Sequence, residues 1–404
     1  MIQQSTPKQS RQFDPAWAWS IQLWLSFGLL FIAWVFFAMY MFPNQKPNDL
    51  AGDTSTVNFF ERALLQKVLR YDVDWYVGIA RDGYGHRVGD TGFHPLLPLM
   101  MSIVGRLLGG STTAYLVAGL LISYSVTLLL LVMLYRLICL DSDAQSARYA
   151  TLLLMSSPLA WVLFIPYTEP LLMLLSVATF YALRKGYWWR AGLAGAAAVL
   201  TKQPGIFLLI PLLWQLWSQR QHMRLGQIMK ALCGIGLIPL GLLIWLVYRA
   251  TLGDMPLHWD QPFEVVRALI ISPQVNKAWE VGFGWPWLTF QNAFHQYQIQ
   301  ASWFLILNTV MAIVMLCLAL IALPRLQINA QLYTIVVLLA TFTLVQTLQP
   351  FASIERRFLI IFPIFIGMGR VFHNHRNLVL IVGTLGGFLW LVLSLMFMHK
   401  AFLP

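Results

Sequence analysis

Two carboxylates stand out among the residues that could do chemistry. Asp72 and Asp74 lie in the segment 70–84, whose other residues are largely apolar or aromatic. A carboxylate that is partly removed from water becomes more basic, which suits it to act as a general base. The same oxygens could hold a divalent cation, so a metal site at Asp72 and Asp74 stays open. The alternative is a solvated loop in which the two acids only cap helices.

Three basic residues are candidates for binding an anion. Lys202 lies at a break between apolar runs, in the segment 201–205, and Arg356 and Arg357 follow the apolar run that ends near 349. Phosphate is the predicted anion, because guanidinium groups match its oxygens in pairs and lysine supplies a point charge. For the two arginines, the alternative is pairing with Glu355 or with lipid headgroups.

Two further polar positions border apolar runs. Glu169 lies in a tight turn at 166–170, at the end of a predicted membrane span. Ionisable groups are costly to place there and usually serve a function, so Glu169 is a candidate for substrate binding. His94 lies in a proline-containing segment, 93–98, that opens a predicted interfacial helix, and it could carry a proton or donate to phosphate. The alternatives are helix capping for Glu169 and an ordinary hydrogen bond for His94.

The elements that position these residues are predicted to span a membrane. Of the 404 residues, 58% are hydrophobic and 11% are charged, and the mean hydropathy is +0.66. Soluble domains carry about 25% charged residues. The net charge of +11 does not indicate nucleic acid, because the basic residues concentrate in short loops on one side. The three cysteines fit neither a disulfide framework nor a zinc site.

The hydropathy pattern predicts an all-α bundle of about eleven spans in a single transmembrane domain, 1–404. The segment 190–218 is counted as two spans, because the proline and glycine at 204–205 would end a helix there. The other apolar runs lie near 17–42, 114–137, 148–166, 170–184, 230–249, 301–323, 331–348, 358–372 and 378–399.

Loop charges predict the orientation of the bundle. Most basic residues of the short loops fall on one side, which is therefore predicted to be cytoplasmic and to hold the N-terminus. Lys202, Arg356 and Arg357 fall on the opposite side, together with most of the acids. Short loops favour a bacterial cell membrane, with the polar chemistry on the extracytoplasmic face.

Two long loops are predicted on that outer face. In the first, 43–113, apolar residues recur every four positions, as at Leu96, Met100 and Val104, which is typical of amphipathic helices at the membrane interface. The second, 251–300, is rich in tryptophan, including Trp259 and Trp279, and is predicted to lie on the bilayer.

Four segments, in this order, resemble motifs of the GPI mannosyltransferase II (PIG-V-like) family and its bacterial relatives. They read YDVDWYVGIARDGY at 71–84, FHPLLP at 93–98, PYTEP at 166–170 and LTKQPG at 200–205, with a weaker echo at 357–363. The chain departs from the family pattern at Tyr71, at His94 and at Lys202, where relatives usually have tryptophan, phenylalanine and arginine. The first two departures could tune the choice of acceptor.

The resemblance implies a GT-C-type glycosyltransferase that uses a polyprenyl- or dolichyl-phosphate sugar, usually of mannose. By motif spacing Asp72 would be the base of an inverting transfer, with Asp74 as a helper or metal ligand. Lys202, Arg356 and Arg357 would bind the donor phosphate. The remaining candidates for substrate binding are Trp75, Tyr76, Arg81, His94, Tyr167 and Glu169.

Several alternatives remain open on the sequence alone. A transporter or flippase for a lipid-linked or anionic solute is the main rival, although transporter sites usually lie near the bilayer midplane. A non-catalytic scaffold is a third possibility. The acceptor hydroxyl, on a lipid, a glycan or a protein, is not indicated, and no nucleotide-binding glycine loop is found.

Overall fold

The computed structural model describes residues 14–43, 49–254, 281–299, 302–346, 351 and 353–400. Its helices are α1 (Pro15–Met41), α2 (Phe59–Ala63), α3 (Asp72–Asp82), α4 (Leu96–Leu107), α5 (Thr112–Ile138), α6 (Ala144–Met155), α7 (Glu169–Arg184), α8 (Trp188–Thr201), α9 (Leu209–Gln219), α10 (Leu225–Thr251), α11 (Pro286–Ile299), α12 (Trp303–Ala322), α13 (Ile328–Thr343), α14 (Ile354–Leu359), α15 (Phe362–Val371) and α16 (Arg376–Met398). A π-helical turn, Leu64–Val68, follows α2.

The short 3₁₀ segments are Asp49–Ala51, Asp90–Gly92, Ala160–Phe164, Gln203–Leu208, Arg220–His222 and Leu323–Arg325. The chain is therefore predominantly helical, as predicted. The exception is a small antiparallel pair of strands, β1 (Val281–Phe283) and β2 (Leu344–Gln346), in which Gly282 faces Val345.

Five helices among the described residues are long and apolar enough to cross a membrane. They are α1, α5, α10, α12 with its 3₁₀ extension, and α16. This bears out an integral membrane protein, whereas the count of eleven spans stays a prediction. The outward faces of these helices carry large apolar side chains such as Leu29, Leu243 and Phe388, each more than half exposed, as expected for lipid contact.

Three predicted spans are not continuous helices. The run 148–166 ends its helix at Met155 and continues as the buried 3₁₀ turn Ala160–Phe164, because Pro158 disfavours helical backbone before it. The run 358–372 is divided between α14 and α15, with Pro363 in the first turn of α15. The run 331–348 leaves its helix at Thr343 and enters β2.

The predicted break at 201–205 is confirmed. α8 ends at Thr201, a 3₁₀ turn follows, and α9 begins at Leu209. Gly205 lets this turn lie against α8, since a Cβ there would lie 2.4 Å from the carbonyl carbon of Ala198. Pro204 ends the helix, and Gly205 allows the following turn to pack closely against α8.

The first long loop contains helices, and α4 buries a face other than its apolar stripe at Leu96, Met100 and Val104. Leu97 and Met101 are buried, whereas Leu96, Met100 and Val104 are only half-buried. The inward face continues at Gly105, where a Cβ would lie 2.2 Å from the Tyr115 ring of α5. The ring of α5 thus selects the face of α4, which the repeat of apolar residues did not reveal. The position of these helices at a membrane interface stays a prediction.

The second long loop lies mostly outside the described residues, including Trp259 and Trp279. In its described part, Trp285 and Trp287 stack with ring centroids 5.1 Å apart, and both are more than half exposed.

Candidate active site

Asp72 is the first residue of α3, and the chain reaches it through an unusual backbone turn. Tyr71 has φ +50°, a value that non-glycine residues adopt at an energetic cost of about 1–3 kcal/mol. The Tyr71 ring packs against Phe397, with centroids 5.5 Å apart. The positive end of the helix dipole favours a carboxylate in the first turn. The backbone turn therefore fixes the position of Asp72 at the start of α3.

Arg356, on the short helix α14, faces this carboxylate. Its Nη1 lies 2.5 Å from Asp72 Oδ2, and its Nη2 donates to Ser353 Oγ at 3.2 Å. The guanidinium also lies over the Tyr167 ring, 4.8 Å from the centroid. Burial lowers the pKa of Arg356, but the Asp72 and Glu169 carboxylates outweigh it, and the net shift is upward. The side chain is therefore held as a buried, permanently charged cation.

Glu169 is the first residue of α7 and links two cations. Its Oε1 accepts a hydrogen bond from Lys202 Nζ at 2.6 Å and lies 3.8 Å from Arg356 Nη1. The Glu169 side chain is 0% exposed, whereas those of Lys202 and Asp72 are 30% and 23% exposed. Asp72, Arg356, Glu169 and Lys202 thus form a row of alternating charges, here called the charge row. A substrate can reach its two ends, while Glu169 lies beneath them.

Lys202 is placed by the break in the helix. It caps α8 with extended backbone, φ −162° and ψ 146°, and its N–H still donates to the carbonyl oxygen of Ala198. The side chain therefore leaves the end of α8 towards Glu169. This arrangement brings together residues from α3, α7, α8 and α14.

Aromatic side chains line one side of the charge row. Tyr76 packs edge-on against Phe93 and Tyr167, with centroids 5.0 and 6.5 Å away, and its hydroxyl lies 3.2 Å from Thr168 Oγ1. Burial raises the pKa of Tyr76 well above its usual value, and the Asp72 and Glu169 carboxylates act in the same direction. Tyr76 is therefore a neutral hydroxyl at physiological pH.

Asp74 belongs to a second ion pair. Its Oδ2 accepts a hydrogen bond from Arg87 Nη1 at 2.9 Å, and Arg87 also covers one face of Trp75, 4.6 Å from the ring centroid. The Trp75 ring also stacks on Phe93, with the ring centroids 5.3 Å apart. Residues two apart on a helix do not face each other. Asp72 and Asp74 accordingly contact different guanidinium groups, and a metal site shared by the two acids stays a prediction.

His94 has a bonding role in this structure. Its Nδ1 lies 2.6 Å from the carbonyl oxygen of Val199, which requires the proton on Nδ1, and its ring lies 5.5 Å from that of Trp245. Burial lowers the pKa of His94 to about 4, and the cations of Arg249 and Lys202 contribute. His94 is therefore neutral at physiological pH and ties the start of α4 to the end of α8. A role as proton carrier does not fit this state.

Two predicted site residues lie apart from the charge row. Arg81 forms an exposed ion pair with Asp82 at 2.8 Å and donates to Thr112 Oγ1 at 3.0 Å. Arg357 donates to the carbonyl oxygen of Thr341 at 3.3 Å. Of the two adjacent arginines, Arg356 is the one that contacts Asp72.

Arg87, Thr168 and Ser353 were missed from the sequence. Arg87 lies in a glycine-rich segment, where Gly83, Gly85 and Gly89 all have positive φ. In sequence the segment resembles an ordinary loop. Its glycines were the one available sign of tight turns, which bring Arg87 back over Trp75.

Three solved structures resemble the chain at low identity. They are ArnT from Cupriavidus metallidurans in the apo state (15% identity, TM-score 0.44, 73% of this chain and 54% of that chain), ArnT from the same organism bound to undecaprenyl phosphate (14%, 0.45, 86% and 59%), and the Archaeoglobus fulgidus oligosaccharyltransferase in the apo form (12%, 0.44, 95% and 54%). The chain matches little more than half the length of each. No curated protein matches the chain.

The sequence model of one family covers more than half of the chain. It is described as Mannosyltransferase (PIG-V) and matches residues 21–246. The matched region contains Asp72, Glu169 and Lys202, and the resemblance first noted at 71–84 is thereby confirmed. The chain belongs to the Mannosyltransferase (PIG-V) family.

Proposed function

We propose that this protein is a GT-C-type membrane mannosyltransferase that uses a polyprenyl- or dolichyl-phosphate mannose donor. The contact between Asp72 and Arg356 carries the proposal, because it puts a candidate base beside a candidate phosphate ligand at 2.5 Å. Family membership supports the class of reaction. The acceptor is a hydroxyl group on a lipid, a glycan or a protein.

In the proposed reaction, Asp72 takes the proton of the acceptor hydroxyl as its oxygen attacks the anomeric carbon. The bond from that carbon to the donor phosphate breaks, and its electron pair stays on the phosphate oxygen. Arg356 and Lys202 stabilise the charge that develops there, which is the general role of fixed cations in group transfer. A single displacement of this kind inverts the anomeric configuration.

The charge row also bears on where the donor would lie. Its exposed members, Asp72 and Lys202, come from the loops predicted to be extracytoplasmic, and a lipid-linked donor keeps its phosphate at the membrane surface. The row therefore fits a site on the outer face of a bacterial cell membrane, with the N-terminus in the cytoplasm.

Transfer from synthetic radiolabelled polyprenyl-phosphate mannose by the purified protein in liposomes tests the proposal. Candidate acceptor fractions of lipid, glycan and serine- or threonine-containing peptide are supplied separately, and labelled product is expected with one of them. Asp53→Asn is a matched control, since Asp53 is an exposed acid of the same loop and its carboxylate accepts hydrogen bonds from its near neighbour Ser55. Movement of intact donor between leaflets without transfer to any acceptor would instead indicate a flippase.

A further inference from the structure

Arg356 contacts the candidate base and retains capacity for another anion. A guanidinium has five N–H donors. One nitrogen contacts Asp72 and a second contacts Ser353, while the buried Nε has no hydrogen-bond partner among the described residues. Arginine forks match phosphate oxygens in pairs. The same side chain could therefore bind the donor phosphate while still facing Asp72.

The surroundings restrict Arg356 to this position. The side chain is 10% exposed, and the Tyr167 ring lies beneath the guanidinium plane at 4.8 Å. The backbone leading to α14 has positive φ at Phe351 and Ser353, +63° and +59°. Together with Tyr71 at +50°, strained turns precede both partners of the Asp72–Arg356 pair. Strain of this kind persists only where the surrounding structure enforces it.

The charges of the proposed reaction balance around this arginine. Before transfer, Asp72 and a phosphodiester donor each carry one negative charge. After transfer, Asp72 holds the acceptor proton and is neutral, while the released phosphomonoester carries close to two negative charges. Negative charge thus leaves one neighbour of Arg356 as it accumulates on the other.

We propose that Arg356 couples proton uptake to departure of the leaving group, pairing with Asp72 before transfer and with the lipid phosphate after it. This inference rests on the proposed function. Asp72 contacts the guanidinium before transfer, and uptake of the acceptor proton releases the guanidinium at the step when the phosphate needs a second charge. Glu169, which is buried and 3.8 Å from Nη1, keeps the cation between the two anions.

The test compares Arg356→Gln with Lys202→Gln. Both variants are expected to bind synthetic polyprenyl phosphate at least about tenfold more weakly, because each loses a phosphate-binding cation. Arg356→Gln is expected to move the acid limb of the kcat/KM profile to higher pH by about one unit, since the loss of a neighbouring cation favours a protonated carboxylate. Lys202 contacts Glu169 and acts on Asp72 without direct contact, so its variant should move the acid limb clearly less than Arg356→Gln does.

Arg356→Lys covers the case in which Arg356→Gln fails to fold. It retains the charge and loses the fork, so it should bind polyprenyl phosphate more weakly with an unmoved acid limb. The coupling is overturned if the acid limb stays in place in Arg356→Gln, or if it moves equally in Arg356→Lys or Lys202→Gln. Absence of sugar transfer by the wild-type protein overturns the proposed function itself, and it is measured separately.

Discussion

Glu169 and Lys202 form an ion pair of 2.6 Å that joins the first residue of α7 to the residue that caps the end of α8. The Glu169 carboxylate is fully buried, so the pair is not a surface contact. In this position Glu169 is not exposed to a substrate. We interpret Glu169 as a positioning residue that holds two cations near each other, which replaces its predicted role in substrate binding.

Glu169→Gln should destabilise the protein and let the side chains of Lys202 and Arg356 move apart. Leaving a buried group without its partner costs about 1–3 kcal/mol, and Lys202 and Arg356 would lose their shared counter-charge. We expect a lower thermal unfolding temperature in detergent and a higher KM for the donor. Glu61→Gln is the control, because its Oε1 accepts a bond from Thr113 that glutamine can retain. Equal stability of the two variants would contradict the positioning role.

Asp72→Asn should abolish transfer while leaving the fold intact. Removal of a general base costs about 10²–10⁴-fold in rate. Asparagine keeps the shape of the side chain, so the unfolding temperature should change little and polyprenyl phosphate should still bind. Single-turnover transfer by wild type, Asp72→Asn and Asp74→Asn provides the measurement. If Asp74→Asn were the more damaged variant, the base would be assigned to the wrong carboxylate.

Gly205→Ala should displace Lys202. The added methyl group would lie 2.4 Å from the Ala198 carbonyl carbon, and overpacking of this kind costs about 1–3 kcal/mol. Both stability and donor binding should therefore fall. Gly236→Ala, on the exposed face of α10 with nothing within 4 Å of its added Cβ, should lower neither stability nor donor binding. A thermal shift assay and a donor-binding assay compare the two variants with wild type. Unchanged stability and donor binding in Gly205→Ala would contradict the prediction.

The stability of the protein should fall in acid through His94. Its pKa in the folded state is about 4, below the ordinary value of 6.5, because burial disfavours the charged ring. The unfolded chain binds a proton first, so this contribution is full above about pH 6.5 and is lost as the pH falls towards 4. His94→Gln removes the titrating group, and the difference in unfolding temperature between pH 7 and pH 5 should shrink. If the difference in unfolding temperature between pH 7 and pH 5 were the same in His94→Gln as in wild type, groups other than His94 would cause the loss of stability in acid.

The sequence was most informative where composition and chain breakers act locally. Low charge predicted a membrane protein, and Pro204 with Gly205 predicted the break that positions Lys202. The motif at 71–84 identified Asp72 without showing what it contacts. Its partner Arg356 lies 284 residues away, and no local pattern encodes which of two adjacent arginines turns inward.

Packing choices were equally hidden. The apolar repeat of α4 predicted a helix with its stripe at the membrane interface, but not the second face that packs on Tyr115 of the next helix. The runs 148–166 and 358–372 were predicted to be continuous helices, because hydropathy alone does not show where a helix ends inside an apolar run. Pro158 and Pro363 were the residues that could have corrected both readings.

The charge row is divided between two parts of the chain. Asp72, Glu169 and Lys202 lie within residues 21–246, which carry the family pattern, and Arg356 lies beyond them. An exchange of the later part between relatives would therefore alter one cation and leave the candidate base and its helix unchanged. In chimeric chains joined after α10, the part that carries Arg356 can therefore be exchanged while the part that carries Asp72, Glu169 and Lys202 stays the same.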